Sequence, residues 1–336
     1  MADLKTIMNK MYYKPEVNPE YYLDTGYKPL NKVVSGRYGR GMQNGRIVEL
    51  SGWESSGKTA IATQLMRAAQ QQGGVAIFED FERSFDWTLA ERQGLSVDQE
   101  SCNFIYRKPT TAEDGVDEFI QLVKMIREGG LEKEKPILGV FDSIPCMVPR
   151  ALTGKDSVEN NMKDNLAIPM MLNAALPRLI QAADDYNVTI LMINQLRDNI
   201  GVMYGPAEKT PGGKAKDFAF SLRIKCRRKI IEEKGKKLGQ LITAEAIKNK
   251  QSAPFGVCEW FFQFNSDGTG SFDVIGSTID YCITNKIGGI EQAGGWFSFG
   301  GEKYQGKEKL KAVLLERPEM FEKLEQALLE EDNKIG

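Results

Sequence analysis

The 336-residue sequence contains no histidine. That absence excludes a Ser-His-Asp or Cys-His nucleophile system, an imidazole general base and any zinc site that needs a histidine ligand. Cysteine is scarce. The five residues, Cys102, Cys146, Cys226, Cys258 and Cys282, are scattered without a C-x-x-C pair, which predicts reduced, buried thiols and no disulfide framework. An excess of one charge is missing too. Lys plus Arg total 44 against 46 Asp plus Glu, so any contact with a polyanion has to be local. No apolar run approaches the ~18 residues of a membrane span, and the N-terminus lacks an apolar signal core. The expectation is a cytoplasmic protein with no membrane partner.

What is present is a recurring alternation. From Gly45 onward the short runs "RIVEL", "GVAIFED", "PILGVFD" and "VTILMINQ" are rich in β-branched residues, and helix-like stretches separate them. This is the signature of a mostly parallel sheet covered on both faces. Ile61, Leu65, Ala68 and Ala69 make one helical stripe over Lys58 to Gln72, and Met171, Leu172, Ala175 and Leu179 make another over Met170 to Tyr186. Further on, "FAFSLRIKCRRKI", "GQLITAEAIKNK" and "VCEWFFQF" read as antiparallel strands, with a hairpin tip in the Lys and Gly cluster at 234–239. The division expected is an N-terminal segment 1–44 with a short helix from Leu4 to Met11, an α/β core 45–269 and a small C-terminal domain 270–336.

Gly52-x-x-x-x-Gly57-Lys58-Thr59 fits the phosphate-binding loop between a strand and a helix, the context that motif needs. Gly52, Trp53, Glu54, Ser55, Ser56 and Gly57 would wrap backbone N–H groups around a β-phosphate, Lys58 would reach the β and γ oxygens, and Thr59 would hold Mg2+. Asp142, ending an apolar run, is a candidate for the magnesium-bound water at the carboxyl edge of the sheet. Glu79, Asp80 and Glu82 are candidates to activate water. Gln195, closing "VTILMINQ", is suited to sensing a γ-phosphate.

"GWESSGKT", "EDFERSFD", "VFDS", "INQLRDNIGVMYG", "TPGGKAKDFAFSLR", "KNKQSAPF" and "GGWFSFGGEKYQGK" occur together in the order and approximate spacing found in bacterial RecA-type recombinases. From about Asp24 to about Lys311 the chain resembles that family. The resemblance implies a RecA-like P-loop ATPase core with a short N-terminal oligomerisation segment and a small α+β C-terminal domain. It implies a helical homo-oligomeric filament on single-stranded DNA, ATP and Mg2+ at subunit interfaces, and strand exchange with a homologous duplex. A ring helicase or motor and a non-catalytic filament mediator are the alternatives.

The same resemblance assigns roles. Glu82 matches a catalytic glutamate that polarises water, Asp86 an adenine contact, and Gln195 a glutamine that couples the γ-phosphate to a DNA loop. Lys248 and Lys250 match lysines that reach a neighbour's ATP, and Phe218 an aromatic that signals across the same interface. The segment 197–216 resembles the second DNA loop, with Arg197 on phosphate, Ile200 between bases, and Gly212 and Gly213 bringing backbone N–H groups close. The segment 153–169 falls at the first DNA loop, where Asn165, Met170 and Pro177 depart from the pattern and Lys155, Lys163 and Arg178 are the basic residues available. Trp53 stands where the family has proline, Leu89 where a tyrosine packs on adenine, and Asp217, just after Lys216, where an interface lysine is expected. The acidic tail is reduced to "EEDNKIG".

Overall fold

The computed structural model describes residues 18–98, 100–101, 103–153, 162–199, 208–265 and 270–334, with residues 162–165 described as backbone only. Nine strands form one sheet: β1 (Ile47–Gly52), β2 (Val75–Asp80), β3 (Phe104–Arg107), β4 (Ile137–Asp142), β5 (Val188–Gln195), β6 (Leu222–Glu233), β7 (Lys236–Asn249), β8 (Val257–Phe264) and β9 (Gly270–Asp273). Their order is β9-β8-β7-β6-β1-β5-β4-β2-β3. The six strands from β6 to β3 run parallel, and β7, β8 and β9 extend the sheet in antiparallel fashion.

Strands β1, β2 and β4 are buried along their whole length, as the apolar runs require of strands covered on both faces. Strand β3 was not evident in the sequence because "FIYR" is short, mixed in polarity and at the sheet edge. The hairpin tip contracts to Lys234 and Gly235, both with positive φ, while residues 236–239 belong to β7. "FAF" is no strand: Phe218 and Ala219 lie in a short helix, Ala215–Ala219.

Helices fill both faces. In order they are α1 (Lys28–Ser35), α2 (Lys58–Gln71), α3 (Trp87–Arg92), α4 (Ala112–Glu128), α5 (Met162–Asp185) and α6 (Ala215–Ala219). Ile61, Leu65, Ala68 and Ala69 of α2 are buried in one core cluster, and Met171, Leu172, Ala175 and Leu179 of α5 in the other. Within α5, Leu166–Asp185 is long and apolar enough to cross a membrane by length and composition, contrary to the reading that no run approaches that limit. Leu172 and Leu179 are nevertheless fully buried, so this helix spends its apolar face on the protein core.

Tyr21, Leu23, Tyr27, Leu30, Val34 and Met42 pack into the first core cluster, so residues 18–44 are built into this chain's own core. The expected helix from Leu4 to Met11 lies outside the described residues. After β9 the chain enters α7 (Val274–Asn285), a three-stranded antiparallel ladder (Glu291–Ala293, Trp296–Phe299, Glu302–Gln305), α8 (Lys307–Glu316) and α9 (Pro318–Glu331), which share a separate small core.

Candidate functional site

Register sets the site. Gly52 lies opposite Gln195 on one side and Cys226 on the other, and Asp80 lies opposite Asp142. Gly52, Asp80, Asp142 and Gln195 therefore share the carboxyl edge of the parallel strands, where open α/β sheets bind ligands. Gly52 is required there: a Cβ would come within 2.3 Å of Ser56 Oγ and 2.8 Å of the Cys226 carbonyl oxygen. Gly57 starts α2 in the left-handed region at φ 80°, and a Cβ on it would meet Ile242 Cδ1 at 2.8 Å.

The loop closes on itself. Lys58 Nζ donates to the carbonyls of Gly52 (3.1 Å) and Trp53 (2.7 Å), and Ser56 Oγ donates to Trp53 (2.7 Å). Burial holds the Lys58 ammonium below its ordinary pKa, opposed by Cys226, Asp142 and Glu82. Trp53 Nε1 donates to Glu208 Oε1 at 2.7 Å. Gln240 Nε2 donates to the Ser55 carbonyl at 2.8 Å, while its Oε1 is buried without a partner.

Two clefts flank the loop. One, about 310 Å³, is lined by Lys58, Thr59, Glu82, Asp142, Ser143 and Gln195 among others. Burial pushes the Asp142 carboxyl up to about 7, with Glu82 and Asp80 adding to the rise and Lys58 and the Thr59 hydroxyl opposing it. The other, about 390 Å³, lies between the loop and Leu89, Arg228, Gln240, Phe262 and Phe264.

The three water-activating candidates separate by position. Asp80 accepts from the backbone N–H of Arg83 (2.7 Å) and Phe85 (3.2 Å) and from the Tyr106 hydroxyl (2.7 Å), so it organises the loop that follows β2. Glu79 is fully buried beside Arg107 (3.4 Å) and is pushed up to about 7 by burial, against the pull of Arg107. Glu82 alone of the three lines the cleft; its N–H donates to the Asp142 carbonyl (3.0 Å), and Ser143 Oγ donates to Glu82 Oε2 (3.3 Å). Asp86 is exposed and caps α3, accepting from Leu89 N–H at 2.9 Å, and it lines neither cleft.

The basic residues expected to reach a neighbour sit elsewhere. Lys248 pairs with Arg223 at the start of β6, three residues before Cys226, the partner of Gly52, and the Lys250 N–H donates to the carbonyl of Ser221 just ahead of that strand. At ~3.3 Å per residue, three to five residues, roughly 10 to 16 Å of strand, separate these positions from the level of Gly52, and β6 lies between, so neither lysine serves its own site. Phe218, 78% exposed, is at the same end.

In segment 197–216, expected to meet DNA, Arg197 is exposed and pairs with Lys209 in a two-residue antiparallel ladder, with Asp198 opposite Glu208. Gly212 and Gly213 have φ of 106° and 75° and pass close beneath α5, where a Cβ on Gly212 would meet Leu172 at 2.7 Å. Ile200 and Lys155 lie outside the described residues, as does the Lys163 side chain. Arg178 is ion-paired to Asp117 of α4. It stands nine residues along α5 from Pro169, which packs on Gly213, so ~13 Å of helix separates it from that segment.

Reading the sequence alone missed a buried ionic cluster. Glu49, fully buried on β1, accepts from Arg223 Nε (2.6 Å) and Asn194 Nδ2 (2.8 Å), with Lys216 Nζ at 3.6 Å. Lys216 also bonds Thr210 (2.6 Å) and Asp217 (2.7 Å). Lys216 is thereby internal and does not replace the expected interface lysine. A glutamate inside the apolar run "RIVEL" was the available signal, because a buried charge demands a partner. Cys146, Cys226, Cys258 and Cys282 are free thiols, and burial pushes Cys226 and Cys282 up to about 12.

Two family models match this chain. The family model for the RecA N-terminal domain matches residues 23–268, and that for the RecA C-terminal domain matches residues 276–332. The protein named Protein RecA of Sulfurovum sp. (strain NBC37-1) is 34% identical over 319 residues, covering 91% of this chain and 85% of the relative. Protein RecA of Aquifex pyrophilus is 33% identical over 294 residues (86% and 78%), and that of Thermus thermophilus 33% over 300 residues (88% and 82%).

Proposed function

From the premise that this chain belongs to the RecA family, an ATP-dependent DNA recombinase and DNA-dependent ATPase, we propose how its own residues run that activity. One observation carries the reading. Lys58, Glu82, Asp142 and Gln195 gather at one end of the sheet, while Phe218, Lys248 and Lys250 stand at the other. Two unlike ends favour head-to-tail contacts, which generate open helical filaments when the rotation does not close. In such a stack Lys248 and Lys250 of one subunit meet the nucleotide of the next, so ATP binding and assembly become coupled.

Within the cleft Lys58 leaves the Gly52 and Trp53 carbonyls for the β and γ oxygens of ATP. Glu82 accepts a hydrogen bond from the attacking water, with Ser143 fixing its carboxylate. Gln195 donates to the γ-phosphate and reports its presence to the segment that begins at Arg197. Lys248 and Lys250 of the adjacent subunit stabilise the charge that develops on the transferred phosphoryl group.

The residues also suit Mg2+. The Thr59 hydroxyl and the buried Asp142 carboxyl form an all-oxygen donor set, and no cluster of three or more His, Cys, Asp or Glu among the described residues offers a ready cage. That matches a cation held mostly by phosphate oxygens and water. When bound, it would neutralise phosphate charge.

On DNA, Arg197 and Lys209 contact phosphates beside the exposed backbone of Gly213, whereas buried Gly212 packs beneath α5, so single-stranded DNA is bound with little sequence preference. The partner in exchange is a homologous duplex. The test is to incubate the protein with ATP and single-stranded DNA, follow hydrolysis, image the product and assay strand exchange. Stimulated turnover, helical filaments and exchange are expected. Forked-duplex unwinding without pairing would instead favour a ring motor, and filaments without turnover a mediator.

A further inference from the structure

Trp53 and the two-residue ladder together join the phosphate loop to the proposed DNA segment by a route separate from Gln195. Directly opposed residues of an antiparallel pair share a face, and successive residues alternate. Arg197 and Lys209 therefore stand on one face of the ladder, and Asp198 and Glu208 on the other. Arg197 and Lys209 are exposed cations, whereas Glu208 turns inward and accepts the Trp53 indole N–H at 2.7 Å. Glu208 is anchored a second time, by an ion pair with Lys225 of β6. On its backbone side, Trp53 offers the carbonyl to which Lys58 Nζ donates at 2.7 Å.

We propose that Trp53 is a positioning residue that ties the Lys58 ammonium to the state of the Arg197/Lys209 ladder through Glu208. Without DNA, the Glu208 bond holds the indole, and with it the Trp53 carbonyl that occupies Lys58. A polyanion bound on the Arg197/Lys209 face draws the ladder outward and strains the Glu208 contact on the opposite face. Lys58 is then released to phosphate. ATP affinity and DNA affinity rise together, since such coupling is reciprocal. The inference rests on the proposed binding of DNA at Arg197.

The test uses the full chain, an oligodeoxythymidylate and ATP, with ATP affinity measured calorimetrically with and without the oligonucleotide. Trp53→Phe keeps the ring but deletes the donor. Glu208→Ala removes the acceptor, and Glu208→Gln retains one. The unsubstituted protein should bind ATP about tenfold more tightly with DNA. In Trp53→Phe and Glu208→Ala that ratio should fall to within about twofold of unity through tighter binding without DNA, and Glu208→Gln should keep most of it. The emission difference between the unsubstituted protein and Trp53→Phe should also shift on adding the oligonucleotide. Retained DNA binding with an unchanged ratio in both variants would overturn the Trp53 link alone. Absence of DNA binding by the unsubstituted protein would overturn the functional reading beneath it as well.

Discussion

Lys248 Nζ donates to the carbonyl oxygen of Phe218 at 3.2 Å and to that of Asp217 at 2.6 Å, which fixes the base of the exposed Phe218 ring at the end of the sheet away from the phosphate loop. The lysine ammonium is thus partly committed within its own chain, whereas Lys250 is exposed. The two lysines should separate experimentally. Lys250→Ala should lower DNA-stimulated turnover by about 10²-fold with modest loss of assembly, the scale set by removing one donor to transition-state charge. Lys248→Ala and Phe218→Ala should weaken assembly more. Sedimentation with ATP and DNA, beside turnover, checks this; equal effects of all three on both readouts would contradict the distinction.

Glu82→Gln keeps an oxygen for the Ser143 hydroxyl and removes the basic carboxylate proposed to take the water proton. Hydrolysis should fall by about 10²- to 10⁴-fold while ATP affinity stays within about twofold. Near-normal single-turnover rates would move the activating role to another group.

The raised Asp142 and Glu79 carboxyls make stability fall as pH rises. Each has a folded pKa of about 7, above its unfolded value, so between about pH 4 and pH 7 the folded state binds more protons than the unfolded one. Asp142→Asn removes the cost of ionising that site. In nucleotide-free protein the variant should melt about 5 °C higher than the parent at pH 8 and nearly level with it at pH 4. Thermal scans across that range decide, and a variant less stable at pH 8 would refute the buried-carboxylate account.

Lys216→Ala leaves the buried Glu49 with Arg223 and Asn194 but without its ammonium partner. Breaking a buried pair costs about 3 kcal/mol, so denaturant midpoints should drop clearly. Filament assembly of the remaining folded protein should be spared. Intact stability with lost assembly would return Lys216 to the interface.

Single-stranded DNA affinity should fall steeply with salt. Arg197→Ala should flatten the slope of log affinity against log salt by about 0.7, the value of one phosphate contact on a single strand. An unaltered slope would remove Arg197 from the phosphates.

The alternation of β-branched runs and helical stripes, the strand–loop–helix context of Gly52 to Thr59, and the absence of histidine were legible from residues alone, because periodicity, glycine geometry and missing chemistry are local properties. The edge strand Phe104–Arg107 and the short helix Ala215–Ala219 were not, since each is too short for its pattern to outweigh tertiary packing. The sequence offered Glu79, Asp80 and Glu82 as equals. Only the fold separated them, by turning Asp80 onto the backbone of its own loop, burying Glu79 beside Arg107 and leaving Glu82 in the cleft. Lys216 at the centre of an ionic cluster and Trp53 bound to Glu208, 155 positions away, depend on which strands lie side by side. Strand neighbourhood is a long-range outcome of burying the whole sheet, and no single stretch of chain encodes it.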